Sequence, residues 1–307
     1  MTRFFLAFAF LILVSTSPVR AAIEAGPLVT PSWLNKHLGE LGLIVLDVRG
    51  RDVHNNGHVP GAIPTDYDTD GWRIKMNDVP GMLPPLALLE SLIGGLGISN
   101  ADHVVIVPQG VSATEMGVAT RIYWTFKVMG HEAVSILDGG MNDWNADPDK
   151  KIATGAVQVA PVTFKATMNQ SLLATADEVL AVVDAGGAGT SLIDHRPTDQ
   201  YLGINKSGIA QRYGTVPGAQ SAPAMWATVN DGGRFRDAES LKDIYAAAGI
   251  ATEGKVINFC NTGHWASVGW FVSHELLGNK DAKMYDGSMA EWTRNTSRPM
   301  QSLVPQE

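Results

Sequence analysis

The sequence predicts an α/β fold made of one domain used twice, each copy a mainly parallel sheet flanked by helices. Three observations predict it. Short apolar runs of strand length alternate with helical patterns along the chain. Four landmarks recur in the same order at a spacing of roughly 150 residues, about one domain length. The chain, 307 residues with 45% hydrophobic and 18% charged side chains, is ample for a large core and long enough for two domains.

The landmarks carry the duplication. The buried run Leu43-Ile44-Val45-Leu46-Asp47-Val48-Arg49 is answered by Thr190-Ser191-Leu192-Ile193-Asp194-His195-Arg196, and both end in Asp-x-Arg. His58-Val59-Pro60-Gly61-Ala62 is answered by Thr215-Val216-Pro217-Gly218-Ala219. The strand from His103 to Val107 is answered by Val256 to Phe259. Leu137-Asp138-Gly139-Gly140-Met141-Asn142-Asp143-Trp144 is answered by Tyr285-Asp286-Gly287-Ser288-Met289-Ala290-Glu291-Trp292. A single repetition at domain length is a duplicated domain rather than a solenoid array.

In chain order, residues 1–22 read as a secretory signal. Arg3 precedes an unbroken apolar run from Phe4 to Val14, and Val19-Arg20-Ala21 suits cleavage near Ala21 or Ala22. The run is too short for a comfortable membrane span, and no later stretch approaches that length. The expectation is an exported, periplasmic protein with no membrane contact after cleavage. Residues 23–150 form the first domain, with Thr30 placed as an N-cap and a helix from Leu86 to Leu96 ending at Gly97. Residues 151–165, small and polar without periodicity, read as the linker. Residues 166–307 form the second domain, with an N-cap at Asp237 and a helix from Ala238 to Ala248 ending at Gly249.

Charge and residue usage narrow the function classes. A net charge of -8 and a pI near 5.5 argue against nucleic acid and against anionic membrane surfaces. No metal site and no cofactor are expected. One cysteine and scattered histidines lack ligand spacing, and His54 and His58 flank Asn55-Asn56-Gly57, a poor helix. Neither glycine-rich stretch has the strand–GxGxxG–helix order of a nucleotide site.

The chemistry points to Lys255-Val256-Ile257-Asn258-Phe259-Cys260-Asn261-Thr262-Gly263-His264-Trp265. An apolar strand stops at Cys260, the only cysteine, turn residues follow, and an apolar helix is expected from Ala266 to Leu277. Backbone N–H groups and the helix dipole there favour negative charge, which suits a nucleophilic thiolate. A buried, inert cysteine is the other reading of that position. Export sharpens the choice, because oxidising compartments pair cysteines as staples and a lone one cannot pair within the chain. The first copy has Pro108-Gln109-Gly110-Val111-Ser112 at this place, in a longer loop without a thiol, and no motif sets a base beside Ser112.

These motifs together resemble the tandem-domain rhodanese family, the thiosulfate and 3-mercaptopyruvate sulfurtransferases. The resemblance rests on Leu46-Asp47-Val48-Arg49, Gly57-His58-Val59-Pro60-Gly61-Ala62, Met82-Leu83-Pro84 and Leu96-Gly97-Ile98 in the first copy. In the second it rests on Asp194-His195-Arg196, Val216-Pro217-Gly218-Ala219, Cys260-Asn261-Thr262-Gly263 and Tyr285-Asp286-Gly287-Ser288. It implies two rhodanese-like domains, an inactive first and a catalytic second, with Cys260 carrying sulfur as a persulfide between a small-molecule donor and a thiophilic acceptor such as cyanide or a thiol. Asn261, Thr262, Gly263, His264 and Trp265 would then form the substrate loop. Arg196 would bind the anionic end of the donor, its other reading being an ion pair with Asp194. Arg212 is a second candidate cation, with a surface role as its alternative.

Asn261 and Thr262 are neutral where thiosulfate-preferring members often carry cations, and mercaptopyruvate-preferring members are closer there. His264 has two readings, a protonated partner of the thiolate or, with Trp265, the rim of the donor pocket. A cysteine phosphatase is excluded, because Ala266 and Ser267 stand where it needs a phosphate-holding arginine. The rival from another class is a non-catalytic sulfur carrier using the same persulfide. The physiological protein acceptor is left open.

Overall fold

The computed structural model describes residues 23–305. The expected signal, residues 1–22, lies outside the described residues. Among the described residues, twelve strands and ten α-helices follow one another in two similar series.

The first series holds β1 (Leu28–Val29), α1 (Pro31–His37), β2 (Leu43–Asp47), α2 (Arg51–Asn56) and β3 (Ile63–Pro64). A hairpin of β4 (Ile74–Met76) and β5 (Val79–Met82) comes next, then α3 (Leu86–Gly95), β6 (His103–Val107), α4 (Ala113–Val128), β7 (Val134–Leu137) and α5 (Gly140–Ala146). The second series holds β8 (Leu173–Ala174), α6 (Ala176–Asp184), β9 (Thr190–Asp194), α7 (Thr198–Leu202), β10 (Gln220–Ser221) and α8 (Ala238–Ala247). It ends with β11 (Lys255–Phe259), α9 (His264–Trp270), β12 (Ala282–Tyr285) and α10 (Ser288–Trp292).

The sheets run β1-β7-β6-β2-β3 and β8-β12-β11-β9-β10, and every pairing inside them is parallel. The two orders are the same when the copies are laid side by side, which is the duplication seen as topology. The middle strands, β6 and β11, are buried along almost their whole length. That burial explains why they read as continuous apolar runs rather than alternating ones.

Several local expectations are met. Thr30 Oγ1 accepts from Trp33 N at 3.1 Å and caps α1, and Asp237 Oδ1 accepts from Ser240 N at 2.8 Å and caps α8. The helix after Cys260 starts two residues earlier than expected, at His264, because Gly263 at φ +74° serves as its N-cap. From Phe271 to Leu276 it continues with π-helical bonding. Between α5 and the 3-10 turn Gln170–Leu172 no helix or strand forms. That segment is pinned across the first domain by His58 N to Ala153 O, Val162 N to Gly94 O and Thr167 N to Met129 O, each at 2.9 Å.

One apolar cluster spans both domains, and each domain also has a cluster of its own. Buried Val104, Ile106, Tyr123 and Trp124 of the first domain belong to the same apolar cluster as Ile193, Trp270 and Phe271 of the second. Helices α4 and α9 pack along that seam, where Tyr123 meets Phe271 edge to face and Thr120 Oγ1 lies 2.8 Å from Ser267 Oγ. The hairpin β4–β5 turns at Asn77 and Asp78, both at positive φ as a tight two-residue turn requires. It rests on the second domain, where Leu83 N donates to Asp286 Oδ2 at 2.7 Å.

Candidate active site

Cys260 follows β11, the middle strand of its sheet, at the carboxyl end where open α/β sheets bind ligands. It lies on the floor of a cavity of about 490 Å³, and its residue surface is only 1% exposed. Both domains build the cavity. The second contributes Ser207, Ile209, Cys260, Asn261, Thr262, His264 and Trp265, and the first contributes Tyr67, Asp68, Arg73, Ser112, Thr114, Glu115 and Val118.

Ser288 holds the cysteine loop in shape. Its Oγ accepts from Cys260 N at 3.1 Å and Gly263 N at 3.2 Å, and donates to Tyr285 O at 2.8 Å. Ser288 is fully buried at φ +48°, a conformation that costs an L-residue roughly 1–2 kcal/mol. Met289 N and Ala290 N take the carbonyls of Cys260 and Asn261. The first domain repeats this stitch, with Met141 N and Asn142 N on the carbonyls of Pro108 and Gln109. Pro108 therefore stands where Cys260 does, and Gly140 where Ser288 does. Ser112 in the longer first-domain loop is a helix cap, accepting from Glu115 N at 3.1 Å.

Gly263 allows a close approach from behind. A Cβ there would overlap Nη1 of Arg121, which reaches across from α4. Arg121 is fully buried, pairs with Asp286 Oδ1 at 2.5 Å and donates to Gly81 O at 3.2 Å. It closes the back of the loop and ties it to the hairpin.

His264 is oriented by the first domain. Its Nε2 lies 2.8 Å from Thr114 O, a carbonyl that can only accept, so Nε2 carries the hydrogen. Nδ1 then accepts from the Tyr67 hydroxyl at 3.0 Å. Burial chiefly, then the charges of Arg73 and Arg121 against the opposing pull of Thr114 O, hold the imidazole down to about 4. Burial likewise pushes the Tyr67 phenol up to about 12. At neutral pH the ring is uncharged, which corrects the reading of His264 as a protonated partner of the thiolate. Trp265 Nε1 donates to Thr114 Oγ1 at 3.1 Å, so His264 and Trp265 together form a cavity wall clamped to α4.

The remaining expected residues divide. Asn261 and Thr262 line the cavity, and Asn261 Nδ2 donates to Gln200 Oε1 at 2.9 Å while its buried Oδ1 has no partner among the described residues. Arg196 does not line it, which corrects its placement as a donor-binding cation. The side chain is fully buried, with Nε and Nη2 on Asp194 at 2.9 and 2.6 Å and Nη2 also on Gly214 O at 2.8 Å. Arg212 is corrected as well. Its guanidinium holds the carbonyls of Trp292, Thr293, Asn295 and Arg298 at the end of α10. Sequence reasoning missed Tyr67, Arg73, Thr114 and Arg121, which lie in the copy without the thiol. Gly71-Trp72-Arg73, an aromatic and a cation after a loop of aspartates, was the available signal.

Comparison with known proteins identifies the family of the two domains. The rhodanese-like domain family matches the chain twice, over residues 30–147 and 175–295. The chain belongs to the rhodanese family. A relative from Saccharopolyspora erythraea named "Putative thiosulfate sulfurtransferase" is 32% identical over 290 residues, covering 91% of this chain and 97% of the relative. The sulfur carrier protein TtuD of Thermus thermophilus is 30% identical over 277 residues, covering 86% of this chain and 93% of its own. Among solved structures, SseA from Escherichia coli, described as a 3-mercaptopyruvate sulfotransferase, superposes with a TM-score of 0.74 at 25% identity over 86% of this chain and 99% of SseA. The anaerobic ergothioneine biosynthesis enzyme from Chlorobium limicola shares the fold at a TM-score of 0.78 and 23% identity, over 91% of this chain and 71% of that one. This rhodanese is a sulfurtransferase enzyme, and its tandem domains are both of the family fold.

Proposed function

We propose that this rhodanese moves a sulfane sulfur from thiosulfate to cyanide or a thiol through a persulfide on Cys260. The observation that carries the reading is the position of the lone cysteine, at the floor of a small cavity built by both domains. The Cys260 thiolate attacks the outer sulfur of the donor. The donor S–S bond breaks, and sulfite leaves with its electron pair. The acceptor then attacks the outer sulfur of the persulfide, and the cysteine thiolate leaves from it, which regenerates the enzyme. Sulfur moves twice and no external oxidant or reductant is consumed. The first-turn N–H groups of α9 have no helical carbonyl behind them, which supports negative charge on the transferred sulfur.

Two further readings use the same cysteine. The neutral Asn261 and Thr262, and the likeness to SseA, favour 3-mercaptopyruvate as donor. The likeness to a sulfur carrier favours a protein that holds the persulfide without turning over small donors. Steady-state rates with thiosulfate and with 3-mercaptopyruvate separate the three, since a carrier gives one burst and stops. Cys260→Ser is expected to abolish transfer, and mass spectrometry of donor-treated wild type to place one extra sulfur on the Cys260 peptide. Full activity of the Ser variant would overturn the assignment.

We also propose export to a periplasm, on the strength of the charged start and apolar run of residues 1–22. Mature protein recovered from the periplasmic fraction, beginning after Ala21 or Ala22, is the expected outcome. Full-length protein confined to the cytoplasm would refute it.

A further inference from the structure

A small anionic donor needs a local cation, because the net charge of -8 gives no global attraction. The cysteine loop has no lysine or arginine, Arg196 and Arg212 are committed elsewhere, and Arg121 sits behind the loop on Asp286. Arg73 is the only arginine or lysine on the cavity wall among the described residues.

The first domain presents Arg73 deliberately placed. Its neighbour Trp72 is fully buried and donates to Thr65 Oγ1 at 2.9 Å, anchoring the chain just ahead of the hairpin. The guanidinium lies over the Tyr67 ring, 4.4 Å from its centre, and that ring is itself held by His264. Gly81 leaves room for it, since a Cβ there would sit 3.3 Å from Arg73 Nη1 and 3.1 Å from Thr262 Cβ. One glycine thus separates the guanidinium from the cysteine loop. Arg73 is also poorly neutralised. Its nearest carboxylate, Asp68, is 3.9 Å away on a side chain 81% exposed, and its buried Nε has no partner among the described residues. The other carboxylate of the wall, Glu115, is spent on the N–H groups of Gln109 and Gly110 at 2.8 and 2.7 Å.

We infer that Arg73 is the residue that recognises the donor's anionic end, seating the oxyanion end of thiosulfate or the carboxylate of 3-mercaptopyruvate while the sulfur meets Cys260. The inference deepens the function proposed above and rests on it for the identity of the donors. It makes the copy without a thiol the source of charge selectivity. A planar guanidinium supported on a ring suits either anion.

The test reads charge recognition at Cys260 without sulfur transfer. Iodoacetate and iodoacetamide are near-isosteres, and each alkylates the thiolate by forming a C–S bond and expelling iodide, but only iodoacetate is an anion. Their rate ratio on wild type is compared with that on Arg73→Met and Arg73→Lys. One lost charge-assisted contact is expected to lower the iodoacetate-to-iodoacetamide ratio about tenfold in Arg73→Met. The iodoacetamide rate should stay near wild type, and Arg73→Lys should retain most of the ratio. An unchanged ratio, or equal slowing with both reagents, overturns the inference, and Arg73→Gln replaces the Met variant if that one does not fold. In steady state, a raised KM confined to thiosulfate or to 3-mercaptopyruvate identifies the anion that is seated, and a rise with neither also overturns it. Wild type that takes sulfur from neither donor would sink the function proposal alone, since the alkylation ratio remains readable.

Discussion

His264 makes a quantitative link between the clamp and acid stability. In the folded protein its imidazole is held at about 4 against an ordinary 6.5, chiefly by burial, with Arg73 and Arg121 adding positive charge nearby. The folded state therefore resists a proton that the unfolded chain accepts. Stability from this group is complete above 6.5, is lost as pH falls from 6.5 towards 4, and declines no further below that. Each pH unit between the two values is worth about 1.4 kcal/mol, so the loss lies between about 3 and 4 kcal/mol at most, and nearer 2 once solvent screening at the exposed edge of the ring is allowed for. The assay is urea unfolding of wild type and His264→Gln at about pH 7.5 and about pH 4.5. Other buried histidines, such as His103 at about 4, act in both proteins and cancel in the comparison. Wild type should lose about 2 kcal/mol more than the variant between the two conditions. Equal losses, or an imidazole signal of His264 titrating near 6.5 by NMR, would refute the neutral clamp. It also follows that any limb of the pH–rate profile near neutrality belongs to another group.

Two further substitutions test the loop and the corrected arginine. Ser288→Ala removes the acceptor for two buried N–H groups, each costing about 1–3 kcal/mol when orphaned. A drop of about 2–4 kcal/mol in unfolding free energy together with at least about tenfold slower transfer is expected, and a variant matching wild type in both would show the loop to be held otherwise. Arg196→Met leaves Asp194 buried without its partner and should cost about 3–5 kcal/mol in denaturant unfolding, with donor KM unchanged in the folded fraction. A raised KM at unaltered stability would return Arg196 to donor binding.

The division between sequence and structure follows the range of the interactions. Strands such as β6 and β11 were legible because burial on both faces leaves an uninterrupted apolar run. The caps at Thr30 and Asp237 were legible because a cap acts within three residues. The duplicated landmarks and the lone cysteine were visible as spacing alone.

The sequence by itself thus determined the duplicated α/β architecture and the candidate nucleophile, Cys260. Tertiary structure decided what surrounds that cysteine. Tyr67 and His264 are 197 positions apart and Thr114 and His264 are 150 apart, distances over which no local pattern reports contact. The arginines show the same limit from the other side. Arg196 stands in the motif that suggested donor binding, yet its guanidinium folds back on Asp194 and Gly214, whereas Arg73, in no motif, faces the cavity. A long side chain takes its direction from the charges and carbonyls that packing brings around it, and those come from elements remote in sequence.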